Sequence, residues 1–179
     1  NQGAVDWADR ARADAEIALG IAPQGSEAHR DASMAVAHAL NTLGAAYARL
    51  DRPEEAVAYI ERSIAIAESE GLLQAVCRSY ANLGVLYASF NPSRAIETCK
   101  TGLATAKRIG DLGFQSRLYA NLAVAYCALT NQCDIEGLRA AEAAIDLDRQ
   151  LGQFDHLAVP LVVLALAAGC GGADDTTQL

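Results

Sequence analysis

The sequence predicts an all-α fold, a right-handed α-α superhelix or solenoid of helix-turn-helix repeats, from three observations. The chain repeats itself: Leu43-Gly44 followed by Tyr47 recurs 40 residues later as Leu83-Gly84 with Tyr87, and 39 residues after that as Leu122-Ala123 with Tyr126. Periods of this size mark stacked helical hairpins. Hydrophobic residues make up 52% of the chain but aromatics only 6%, a balance that suits helices packed through small side chains better than a sheet. Each repeat also ends at a glycine, Gly71, Gly110 or Gly152, the residue that most readily closes a helix.

The elements follow in order. Residues 4–19 read as an unpaired helix, equivalent to the second helix of a repeat, and "IAPQGSE" at 21–27 reads as a loop. The first repeat spans 28–71, the second 73–110 and the third 113–152. Their second helices share a small-residue register: Ala56-x3-Ile60, Ala95-x3-Cys99 and, more loosely, Gly137-x3-Ala141. The turns "LDRPEE", "FNPSR" and "LTNQCD" differ in length, as surface loops do, and Pro53 and Pro92 stand near helix starts, where a missing N–H costs nothing. Residues 154–168 read as an unpaired first-type helix. All of this is expected to form a single domain over 1–170, followed by a polar, turn-rich tail at 171–179.

Charge and cysteine usage exclude several functions. Fourteen Lys and Arg against 22 Asp and Glu leave a net charge of −8 with no basic stripe, which argues against direct contact with nucleic acid. Five cysteines, Cys77, Cys99, Cys127, Cys133 and Cys170, are odd in number and lack CxxC spacing, so neither a disulfide framework nor a zinc site is indicated. A reducing, cytoplasmic setting is expected. The longest apolar stretch, Leu157 to Ala168, contains Pro160 and is too short to span a bilayer. There is no signal-peptide pattern, and a start at Asn1 suggests a module cut from a longer protein or a processed end. His29, His38 and His156 are scattered, the acids of "ERSIAIAESE" suit a solvated helix face, and no phosphate loop, GxSxG or triad order occurs. No cofactor, metal or catalytic residue is expected, and the chain is not read as an enzyme.

On the helix that carries "SYANLGVLY", Tyr80, Leu83, Gly84 and Tyr87 share one face at i, i+3, i+4 and i+7, so that face is core, with Gly84 allowing close approach. Arg78, Asn82, Val85 and Ser89 repeat the spacing on a different side, free to bind. The third repeat places Arg117, Asn121, Val124 and Ala128 there, and the first places His38, Thr42, Ala45 and Arg49. An Asn carboxamide can donate to and accept from an extended backbone, and an Arg one turn earlier offers a planar fork for a carboxylate. The expected ligand is an extended, acidic segment of a partner protein, held on the concave side of the stack. Val159 and Val163 at the matching places of the last helix should end the polar column. The competing reading has Asn82 and Asn121 satisfying neighbouring groups, with Arg78 and Arg117 paired to acids such as Glu97 or Asp111.

The pattern Leu40-x2-Leu43-Gly44-x2-Tyr47, with Tyr80-x2-Leu83-Gly84-x2-Tyr87 and Tyr119-x2-Leu122-Ala123-x2-Tyr126, resembles the tetratricopeptide repeat over about residues 4–168. The period exceeds the usual figure of about 34, which is similar to the long-helix subclass of kinesin light chains, Pins-type adaptors and the sensor regions of bacterial ATPase transcription regulators. Glycine replaces the proline that often closes such repeats, and Ala123 and Gly137 depart from the pattern in the third. The resemblance implies a non-catalytic scaffold for protein binding. In Pins-type adaptors the matching Arg and Asn line the peptide groove, which implies that role for Arg78, Asn82, Arg117 and Asn121. Two alternatives stand beside it: a sensor segment of a larger bacterial ATPase-type regulator or cyclase, and a scaffold that forms a homodimer through the apolar helix, Leu157 to Ala168.

Overall fold

The structure, a computed structural model, describes residues 2–130 and 135–171. Cys133 and residues 172–179 of the expected tail lie outside the described residues, as does the Cys170 side chain. In chain order the helices are α1 (Gln2–Ile21), α2 (Glu27–Ala48), α3 (Pro53–Ser69), α4 (Leu73–Ala88), α5 (Pro92–Ile109), α6 (Leu112–Thr130), α7 (Ile135–Leu151) and α8 (Ala158–Gly171). A 3-10 turn, Phe154–Leu157, precedes α8, and there is no strand among the described residues. The fold is all-α.

Helix starts and stops follow local chemistry. The Ser26 hydroxyl accepts from the His29 N–H at 3.1 Å, and the Asn91 side chain accepts from the Arg94 N–H at the same distance, each satisfying an orphan donor of the first turn. Asp111 does so for Phe114 at 3.0 Å. Pro53 and Pro92 occupy first-turn positions. The three stops share one geometry: Gly71, Gly110 and Gly152 take φ of 64°, 71° and 69°. The next residue then closes the turn onto a carbonyl five positions back, Leu72 to Ala67 at 2.8 Å, Asp111 to Ala106 at 3.0 Å and Gln153 to Asp148 at 2.8 Å.

The chain packs as two units, Asn1–Leu86 and Tyr87–Leu179. In the first, α2 packs against α1 and α3. Val5 and Ala8 of α1 join Leu43 and Ala46, and Ala15 joins Val36 and Leu40. Ala37, Ala67, Leu72, Ala75 and Val76 bring α4 into the same core. Burying a side chain such as Leu40, Leu43 or Ile60 contributes about 1.5–3 kcal/mol each. The Ser63 hydroxyl donates to the Ala37 carbonyl at 2.7 Å, so its one proton is used, and Ser79, at 3.0 Å, donates to Ser63. That chain ties α2, α3 and α4 with no polar group left over.

In the second unit α6 packs against α5 and α7, and α8 against α6 and α7. Buried alanines line these contacts: Ala95 and Ala106 of α5, Ala123 and Ala125 of α6, Ala141 and Ala144 of α7. Asp148 places a carboxyl group in this interior, 1% exposed. The Ser116 hydroxyl donates to its Oδ1 at 2.5 Å and His156 Nδ1 lies 3.8 Å away. The repeated tyrosines of the first-type helices also have a common role, each holding a cation over its ring. Arg52 sits 4.6 Å from the Tyr47 ring, Arg94 4.6 Å from Tyr87 and Lys100 5.6 Å from Tyr126.

Candidate functional site

The two periodic faces of α4 separate as the spacing requires. Leu83, Gly84 and Tyr87 are buried, while Arg78 and Val85 are exposed and Asn82 is half-buried; Tyr80, expected in the core with them, is only half-buried, because its hydroxyl reaches out to donate to Glu68 at 3.0 Å. Ser89 lies one residue beyond the end of α4, exposed in the turn. On α2, Thr42 is exposed and His38 and Ala45 are half-buried; Arg49 follows the last residue of the helix and is exposed.

Packing joins parts of these strips into one cluster. Asn82 Nδ2 donates to Asn41 Oδ1 at 3.1 Å, across from α4 to α2. His38 has its pKa lowered from 6.5, chiefly by burial and further by the positive charge of Arg78. Arg78 forms no ion pair among the described residues, so its guanidinium is available to a ligand. Thr42 turns to its own helix, its hydroxyl donating to the His38 carbonyl at 2.8 Å. The cluster His38, Asn41, Arg78 and Asn82 therefore offers one free cation, one neutral imidazole and two linked carboxamides.

Asn41 was not legible in the sequence as a member of this group. In the repeat register it aligns with Ala81 and Ala120, so nothing recurs to mark it. It is 6% exposed. The one available signal was the choice of a carboxamide where the other repeats have alanine.

The second unit carries the same residue types on α6. Arg117 is exposed, with its guanidinium 5.9 Å from the Phe114 ring, and it forms no ion pair with Asp111 or with any other acid among the described residues. Asn121 is half-buried and engaged in an interaction. Val124, farther along α6, lines an apolar cavity of about 360 Å³ with Cys127 and with Val159, Val162 and Val163 of α8. The polar column of α6 thus gives way to an apolar wall at α8. Leu166, which also lines the cavity, and Leu161 of α8 are about half exposed.

The remaining chemistry-bearing side chains are dispersed. No group of three or more His, Cys, Asp or Glu that could hold a metal occurs among the described residues. Cys77 and Cys99 are fully buried, and burial pushes the Cys99 thiol up to about 12, which keeps it protonated and unreactive. His29 lies 3.5 Å from Glu70. No described helix is long and apolar enough to cross a membrane.

Residues 35–108, from α2 into α5, match the tetratricopeptide repeat family. None of the curated proteins compared matches the chain. Tetratricopeptide repeats are helical scaffolds, whose stacked hairpins present extended surfaces to protein partners.

Proposed function

We propose that this chain is a non-catalytic protein-interaction module whose α2–α4 face receives an extended, acidic segment of a partner protein. One observation carries the reading: among the described residues Arg78 has no acidic partner, and it stands exposed beside the linked carboxamides of Asn82 and Asn41. A guanidinium fork accepts a carboxylate, and carboxamides satisfy backbone N–H and C=O groups whatever the sequence. Arg117 and Asn121 supply the same residue types to the face of α6. The net charge of −8 is compatible with a local basic spot, because charge complementarity is set by the contacting surface. The odd number of cysteines and the absence of CxxC spacing suit the cytoplasmic setting we assign to the chain.

The test is a displayed library of random dodecapeptides selected on the purified protein. The expected winners are rich in Asp and Glu, and Asn82→Ala should weaken the best of them about fivefold, the worth of one hydrogen bond, while lowering the melting temperature by only a few degrees, the cost of leaving the Asn41 carboxamide without its partner. Failure to select any acidic peptide, or unchanged affinity in a folded Asn82→Ala protein, overturns the reading.

A second reading, pairing of two copies through α8, is favoured by the exposed Val159, Val162 and Leu166, which line the apolar cavity, and by the exposed Leu161. Under it, light scattering on a size-exclusion column returns a dimer that Val162→Glu converts to monomer. A strict monomer at high concentration removes it.

A further inference from the structure

We propose that Asn41 is a positioning residue: it holds the Asn82 carboxamide in the one orientation that presents a carbonyl oxygen and a single N–H to the backbone of a bound segment. The inference rests on the reading of the α2–α4 face given above and names how that face recognises its ligand.

A carboxamide has two orientations of nearly equal shape and opposite polarity, related by a half-turn that exchanges O and N. An unrestrained Asn82 populates both, and only one complements a given backbone register. With Asn41 kept as it stands, the bond from Asn82 Nδ2 to Asn41 Oδ1, at 3.1 Å, breaks that symmetry, because a half-turn of Asn82 alone sets one carbonyl oxygen against another. Asn41 is itself nearly buried, where a polar atom is costly unless bonded, so the fold favours keeping the pair together. The Asn82 amide is left with its Oδ1 and one N–H. In an extended chain the N–H and C=O of one residue point to the same side, with the next residue facing away. Asn82 can therefore accept from the N–H and donate to the C=O of a single residue, and alternate residues remain free for side-chain contacts. Arg78, one turn before Asn82 on α4, then lies in line with an acidic side chain of the same segment.

The test is a double-mutant cycle. The wild-type protein, Asn41→Ala, Asn82→Ala and the double variant are each titrated, by fluorescence anisotropy, with the strongest acidic dodecapeptide from the selection. Loss of preorganisation should weaken binding about fivefold when Asn41→Ala is introduced alone. The same change should have less than about a twofold effect when Asn82 is already alanine, because its target is gone. In the free protein, the hydrogen-bonded amide proton of the Asn82 side chain should move upfield in the nuclear magnetic resonance spectrum of Asn41→Ala. Equal losses in both backgrounds, or no loss in either, overturn the inference. If Asn82→Ala alone leaves affinity unchanged, the reading of the face fails, and this inference with it. Should Asn41→Ala fail to fold, Asn41→Leu, which fills the same space with no acceptor, takes its place, and the criterion of non-additivity is the same.

Discussion

Replacing Gly44 with valine should lower the stability of the first unit by about 3 kcal/mol, the upper range for forcing extra atoms into a packed contact. A Cβ at position 44 would stand 2.9 Å from the Ala56 carbonyl oxygen and overlap the side chain of Ile60. The oxygen belongs to the backbone of α3 and cannot step aside, and Ile60 is held in the core. The α2–α3 contact would have to open. A better helix propensity than glycine offsets only a few tenths of that cost, since a β-branched residue is a modest helix former. The control is Gly20→Ala. Gly20 also lies in a helix, α1, but nothing approaches its Cβ position within 4 Å, so this change should be neutral or stabilise slightly. Urea titrations followed by circular dichroism separate the two. A Gly44→Val protein as stable as wild type would show that α2 and α3 do not approach as closely as the structure places them.

Arg78→Glu should weaken an acidic peptide about tenfold at low salt. Each exposed ion pair is worth up to about 1 kcal/mol, and reversal both removes the attraction and adds a repulsion of similar size. Because the site is exposed, most of the difference should vanish in high salt. His38 supplies a second readout. In the native protein, burial and then Arg78 hold its pKa below the usual 6.5, so below that pH the unfolded chain binds the proton more readily than the native one. The contribution of His38 to stability is therefore complete above pH 6.5 and is lost as the pH falls through its folded pKa. Arg78→Glu removes the lowering charge, so a resonance titration should find His38 titrating at higher pH. A bound carboxylate acts in the same direction. Affinity of the wild-type protein for an acidic peptide should accordingly rise as the pH falls below about 6.5, with proton uptake on binding. A His38 midpoint unmoved by Arg78→Glu would place the two groups too far apart to share a ligand.

Some features of this chain are decided by neighbours in sequence and were legible there. The turn of a helix sets Leu83, Gly84 and Tyr87 on one side and Arg78 and Val85 on another, and both the burial of the first set and the exposure of the second follow from that periodicity. Gly71, Gly110 and Gly152 stop their helices because a left-handed residue is needed there and glycine takes it without strain. These are local consequences of backbone geometry.

Other features needed the packing of one helix on another. Asn41 stands in no repeated register, and only the approach of α4 to α2 makes it a partner for Asn82. The sequence left both roles of Arg78 and Arg117 open, in the groove or paired with an acid, because an ion pair depends on where long side chains from different elements end. Val124 belongs by spacing to a polar column, yet its neighbours across space are the valines of α8. By itself the sequence determined an all-α chain of repeated hairpins and which helix faces are buried, since periodicity and end signals act within a few residues. Tertiary structure decided which polar side chains meet and which stay unpaired, because hydrogen bonds and ion pairs between elements depend on ångström distances that no spacing along one helix encodes.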